Sequence, residues 1–287
     1  PWLRTHLIAQ RLEDCYAEIQ RDLGVTDADF PKSPMDPAGP PGEYNGVGPY
    51  LGMAEKFSVL IVKRAASNAR YTRAYGTQEV AYPLRLYFPS YGALGVCMSE
   101  EYNARQLAND QALHVYLVYN VVTNLLNGYR SYGHDAPAWM LIGLSHWHSR
   151  RVSPKYPLYE FKTGNEKEDS AFWQWEKRAI GLMRFEAFEP IEDLVVRADG
   201  TKFGMEQHIQ SWFLVDYLMQ ERKVQAMRYL RSMKEPFHAR RKSPTSAELI
   251  DRQRASFTDA FGVEPGVMEA EWRQTALSKK RGRKRGR

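Results

Sequence analysis

The sequence predicts an α+β fold, with a first lobe of three strands interleaved with helices followed by a lobe of helices alone. Two observations carry this expectation. Every β-rich or alternating run lies between Phe57 and Met98, and from Asp110 onward apolar residues recur at helical spacing between recognisable start and stop signals. A chain of 287 residues is long enough to bury a sizeable core as two ordinary domains or one two-lobed body. The expected boundaries are an α+β lobe over 1–160, a helical lobe over 161–277 and a basic, disordered tail over 278–287.

Leu3, Leu7, Ile8, Leu12, Cys15, Tyr16, Ile19 and Leu23 share one helical face, and Gly24 supplies the stop. Residues 31–49 hold Pro31, Pro34, Pro37, Pro40, Pro41 and Pro49 among several glycines, which predicts a long surface loop. Phe57–Lys63 is a short apolar run suited to a buried strand. A helix is expected from Ser67 to Tyr75, closed by Gly76. Tyr82–Phe88 alternates, with Leu84, Leu86 and Phe88 on one face, and Ala93–Met98 gives the third strand. Later, Met205–Gln220 and Val224–Met233 predict helices. Thr245-Ser-Ala-Glu248 is a capping box opening a helix that ends near Gly262, and Glu264–Leu277 predicts the last helix.

The formal charge of +6 misdescribes the body of the protein. Lys279-Lys-Arg-Gly-Arg-Lys-Arg-Gly-Arg287 holds seven basic residues, and removing those from the total of 40 leaves 33 against 34 acidic. A neutral body argues against a nucleic-acid-binding domain, whose affinity comes from neutralising phosphates. Only the tail is suited to weak contact with an anionic surface or a nucleic acid. No apolar run approaches the roughly 20 residues of a membrane span. Cys15 and Cys97 lie in different expected elements, as one bridge or, the reading preferred, two buried thiols. The sequence opens on Pro1, so an upstream segment is expected to be missing and no compartment can be read from it.

Between Asp110 and Asp135 there is no acidic residue. This stretch reads Gln111-Ala-Leu-His114-Val115-Tyr-Leu-Val118-Tyr119-Asn120, then, past a short loop punctuated by Gly128 and Gly133, Ala136-Pro137-Ala-Trp139-Met-Leu-Ile142-Gly143-Leu-Ser-His146-Trp147-His148. The arrangement resembles the active-site helix pair of gluzincin, or peptidase MA-like, zinc metallopeptidases, in which an HExxH helix precedes a helix of the form Pro-x-Trp-x-x-Glu-Gly-Leu-Ala. Gln207-His208-Ile-Gln210-Ser211-Trp212 is similar to the family's Tyr-x-Gln-Ser-Trp helix, and Phe261-Gly262 with Trp272 resembles its closing segment. The resemblance covers most of residues 1–277. It implies a zincin-like first lobe with a small mixed sheet and a central helix pair, and a secreted or cell-envelope setting.

Working HExxH chemistry requires two imidazoles one turn apart and a glutamate that carries the proton of the zinc-bound water. With His114 on the first ligand position, the resemblance places Val115 at the general base, Val118 at the second histidine and Ile142 at the third ligand. Shifting the register by one restores no donor. Valine and isoleucine neither bind zinc nor move protons, so no catalytic residue of the ordinary mechanism is expected. The leading expectation is a pseudopeptidase without cofactor, kept as a scaffold or as a module holding a peptide or protein in the inherited cleft. The alternative is a metal-dependent hydrolase with relocated ligands at His114, His146 and His208, since three imidazoles can hold zinc. His148 is expected at the surface. Phe172, Trp173 and Trp175 are expected to be packing aromatics or a groove wall.

Overall fold

The computed structural model describes residues 2–30, 51–52, 57–75, 79–88, 93–101, 110–130, 134–156, 174–197, 200–235 and 244–285. The loop expected at 31–49, the closing Gly76, and Phe172 and Trp173 lie outside the described residues. The chain divides into two compact units: Pro1–Asp135 with His148–Leu158 and Pro236–Ser243, and Ala136–Trp147 with Tyr159–Glu235 and Pro244–Arg287. The class is α+β, mostly helical with one small mixed sheet.

The first unit opens with α1 (Trp2–Leu23). Gly24 ends it at φ +67°, and the amides of Gly24 and Val25 return to the carbonyls of Arg21 and Gln20, satisfying orphaned groups of the last turn. The buried stripe is Cys15, Ile19 and Leu23, with Ile8 and Leu12 packing on the core beside them. Leu3 and Leu7, expected on that stripe, are exposed.

Strand β1 (Ser58–Val62) is followed by α2 (Ala65–Tyr75), β2 (Leu84–Phe88) and β3 (Ala93–Ser99). The order is β1-β3-β2, with β3 central, parallel to β1 and antiparallel to β2. The parallel pair aligns Leu60 with Cys97, and the antiparallel pair aligns Leu84 with Cys97. Asn68 of α2 donates to the carbonyls of Val80 and Tyr82, at 3.1 Å each, which pins the segment entering β2.

Helix α3 (Asp110–Asn127) is buried along its whole length from Ala112. Such a helix still has to satisfy its polar side chains, because an unpaired buried donor costs about 1–3 kcal/mol. Asn124 donates to the Gly95 carbonyl of β3 at 2.9 Å, and Asn120 accepts from Arg85 of β2 while donating to Tyr116 O. Thr123 donates back to Tyr119 O. Two of the polar interruptions in this otherwise apolar run, Asn120 and Asn124, therefore tie α3 to the sheet, while Thr123 bonds within the helix.

In the second unit, Pro137 sits just ahead of α4 (Ala138–Val152), whose residues up to Trp147 belong here. Then come α5 (Trp175–Arg184), α6 (Ile191–Val196), α7 (Met205–Glu221), α8 (Lys223–Met233), α9 (Ser246–Phe261) and α10 (Pro265–Arg285). The capping box at α9 forms as the sequence predicts: Thr245 accepts from the Glu248 amide, and the Glu248 carboxylate accepts from the Thr245 amide at 2.7 Å. Gly262 ends α9 at φ +72°. Helix α10 continues past Leu277, the end expected for it, because Lys and Arg are good helix formers and cations suit a helix C-terminus. Its Trp272 stacks on Phe188 at 5.7 Å, and Trp139 packs on Tyr229 at 5.7 Å in the same unit.

Among the described residues, no helix is long and apolar enough to cross a membrane. Cys15 and Cys97 are both free and buried. Burial raises both thiols to about 11, with the Glu18 carboxylate adding to the effect at Cys15, so neither supplies a thiolate nucleophile near neutral pH.

Candidate functional site

Val115 and Val118 lie on the fully buried α3 and are inaccessible to solvent. Val115 belongs to a cluster with Met98, Ala112, Leu113, Tyr116, Leu117 and Tyr119, against which Ile61 and Val59 of β1 also pack. Ile142, on α4 in the second unit, is buried as well, with Gly200 drawn up against its side chain. All three aliphatic positions are thus packed as core.

His114 is buried at the solvent-facing start of the same helix, and Arg11 Nη1 lies 2.6 Å from its Nδ1. A guanidinium can only donate, so Nδ1 accepts and the neutral ring carries its proton on Nε2. Burial and then the charge of Arg11 hold the ring's pKa below its usual value, with Asp110 pulling weakly the other way. This tautomer matters for metal chemistry. A histidine that binds zinc through Nε2 must carry its ring proton on Nδ1 and donate it to an acceptor. Arg11 occupies that position as a donor and brings a positive charge with it.

In the second unit α4 and α7 bring His146 and His208 together. His146 Nε2 lies 2.9 Å from His208 Nδ1, with the rings edge to face and both side chains buried. One imidazole donates and the other accepts, so the pair is not doubly cationic in this arrangement. His146 also meets the Trp175 ring edge to face at 4.7 Å, and Trp175 meets Trp212 at 5.9 Å. The structure brings His146 and His208 together within the second unit; His114 belongs to the first unit, beside Arg11. Among the described residues no group of three or more His, Cys, Asp or Glu side chains is placed to hold a metal ion. Trp175 is a packing aromatic.

The contact between α4 and α7 is unusually close at Gly143. A Cβ added there would stand 2.6 Å from the Ser211 carbonyl oxygen and press into the Val215 side chain. Gly143 and Ser211 belong to two segments that the sequence singles out separately, and the fold puts them in direct contact.

His148 corrects the sequence reading: it is buried, not at the surface. Its Nδ1 faces Glu18 of α1 at 3.4 Å, and Arg151 pairs with the same carboxylate. These contacts, the His148 hydrogen bond first and then Arg151, hold the Glu18 carboxyl down at about 2 against the cost of burial. The sequence reading missed both Arg11 and Glu18. The signal for them was their position beside the apolar stripe of α1, where a charged residue has to find a partner as the stripe is buried.

A depressed carboxylate pKa contributes stability above the unfolded value and loses it as pH falls through the folded one. Glu18 is therefore expected to contribute up to about 3 kcal/mol above pH ~4.5, fading toward pH ~2. Urea unfolding of the native protein and of Glu18→Gln should differ by that order at pH 6 and converge near pH 2.5. A gap that does not change with pH would show that the ionised form of Glu18 is not what stabilises the fold.

No protein-family model, curated protein or solved structure matches this chain.

Proposed function

We propose that this chain is a catalytically degenerate relative of the gluzincin-like metallopeptidases, zincin-like in fold, that serves as a scaffold or as a binding module for an extended peptide or protein. The observation that carries this reading is the burial of Val115, Val118 and Ile142 as packed core where that family would place its general base and two of its ligands. Aliphatic side chains have no lone pair to offer a metal, and a carboxylate could not enter such a position without losing its hydration. The Arg11 guanidinium on His114 adds to the case, since it repels a divalent cation and fixes the wrong ring tautomer for Nε2 ligation. The close approach of Gly143 to Ser211 supports the comparison of segments, because it is the kind of contact a glycine in a Gly-Leu helix motif permits.

A second reading is favoured by one observation, the His146–His208 pair: a hydrolase that holds zinc on relocated imidazoles. Two imidazoles alone hold zinc weakly, so this reading needs a further donor. Zinc analysis of protein purified without a histidine tag separates the two. The pseudopeptidase reading expects well under one equivalent, unchanged by His146→Ala. About one equivalent, lost in that variant, would establish the second reading instead.

A further inference from the structure

The basic run at the end of the chain has no part in the pseudopeptidase reading. The last acidic residue is Glu271 and the last aliphatic one Leu277, and six of the seven residues Lys279–Arg285 are basic. Up to Trp272 the helix is anchored in the second unit: Met268 and Trp272 are buried, and Arg273 pairs with Glu269 at 3.0 Å and Glu186 at 3.2 Å. The same helix then continues to Arg285. The basic run thus continues the backbone of a helix whose earlier turns are anchored in the second unit.

The helix axis sets the spacing of the charges. At about 1.5 Å of rise per residue, the seven positions span about 10 Å, or one positive charge per roughly 1.7 Å. B-form DNA carries one negative charge per about 1.7 Å of its own axis. Positions 279 and 283, 280 and 284, and 281 and 285 are each about one helical turn apart in the sequence, and all six are basic. No acidic side chain lies in the run to relieve them. A dense polyanion removes this repulsion and releases its own condensed counterions.

We propose that the end of α10 is a polyanion-binding arm that takes the phosphodiester backbone of a nucleic acid. A lipid surface fits less well, because helices that lie in a membrane interface bury an apolar face and this run has no apolar residue after Leu277. The run also lacks any aromatic side chain on which a base could stack, so recognition is of backbone charge and not of sequence.

Fluorescence anisotropy of the full chain with labelled 20-base-pair duplexes of two unrelated sequences tests this, alongside sedimentation with phosphatidylserine vesicles at matched charge concentration. With up to seven phosphates neutralised, log K should fall with log salt at a slope approaching about −6, a loss of about four thousand-fold between 50 and 200 mM. Both duplexes should bind alike. Deletion of residues 279–287, and separately glutamine at the six basic positions of 279–285, should abolish binding while leaving the thermal transition unchanged. Duplex binding that survives both changes, absence of binding by the full chain at 50 mM salt, or tighter binding to vesicles than to duplex would each overturn the proposal.

Discussion

Replacing Val115 by glutamate is expected to destabilise the first unit by about 4 kcal/mol or more, a large fraction of the roughly 5–15 kcal/mol that holds an ordinary domain folded. Val115 is inaccessible to solvent, and its neighbours Met98, Leu113, Tyr116 and Leu117 offer no cation. An ionised carboxylate would lose its hydration there without compensation, so the group would protonate, with its pKa pushed up by several units. Even the neutral acid would leave a hydroxyl and a carbonyl to be satisfied in a close-packed cluster. Val115→Ala removes only methyl groups and should cost less, about 1–3 kcal/mol. Urea denaturation monitored by circular dichroism measures both. A glutamate variant as stable as the alanine one would mean that the position opens onto water.

The second large effect is expected at Gly143. In an isolated helix, alanine is more favourable than glycine by about 1 kcal/mol, so local propensity predicts that Gly143→Ala stabilises. The structure predicts the reverse. The new methyl group would stand 2.6 Å from the Ser211 carbonyl, a backbone atom that cannot rotate away, and against Val215. Helices α4 and α7 must separate, at an expected net cost of about 2–3 kcal/mol and a fall of several degrees in Tm. Val215→Ala should recover part of this loss, because it relieves the side-chain half of the clash and leaves the backbone half. A raised Tm in Gly143→Ala would show that the two helices are not in close contact at this position.

Much of the secondary structure was legible because it is written in local chemistry. The capping box at Thr245, the glycine stops at Gly24 and Gly262, and the short β-rich runs each depend on residues close in sequence, and each appears where expected. The mixed order of the sheet was less accessible, since the pairing of β1 with β3 depends on contacts across some forty residues of chain. The last helix runs further than the expected end near Leu277, since lysine and arginine have high helix propensity and its earlier turns are anchored by Trp272.

At the candidate site, the lack of any metal-donor atom in the side chains of Val115, Val118 and Ile142 was legible because it concerns residue type alone. The partners of the histidines were not. His146 finds His208 from 62 residues away, and His114 finds Arg11 from 103. Sequence spacing carries no information at that range, and three histidines look equivalent until their neighbours are known. His148 shows the same limit: two residues from His146 it faces a different side of the helix, where its buried ring meets Glu18 of α1, whose carboxylate also pairs with Arg151.

Zinc titration of the untagged protein against a competing chromophoric chelator bears most directly on the proposed loss of the catalytic ion. Packed aliphatic side chains and an arginine-blocked His114 predict no site tighter than about micromolar at pH 7.5, and no peptidase activity that a chelator can remove. One equivalent bound with nanomolar affinity, together with peptide cleavage abolished by the chelator, would contradict the account.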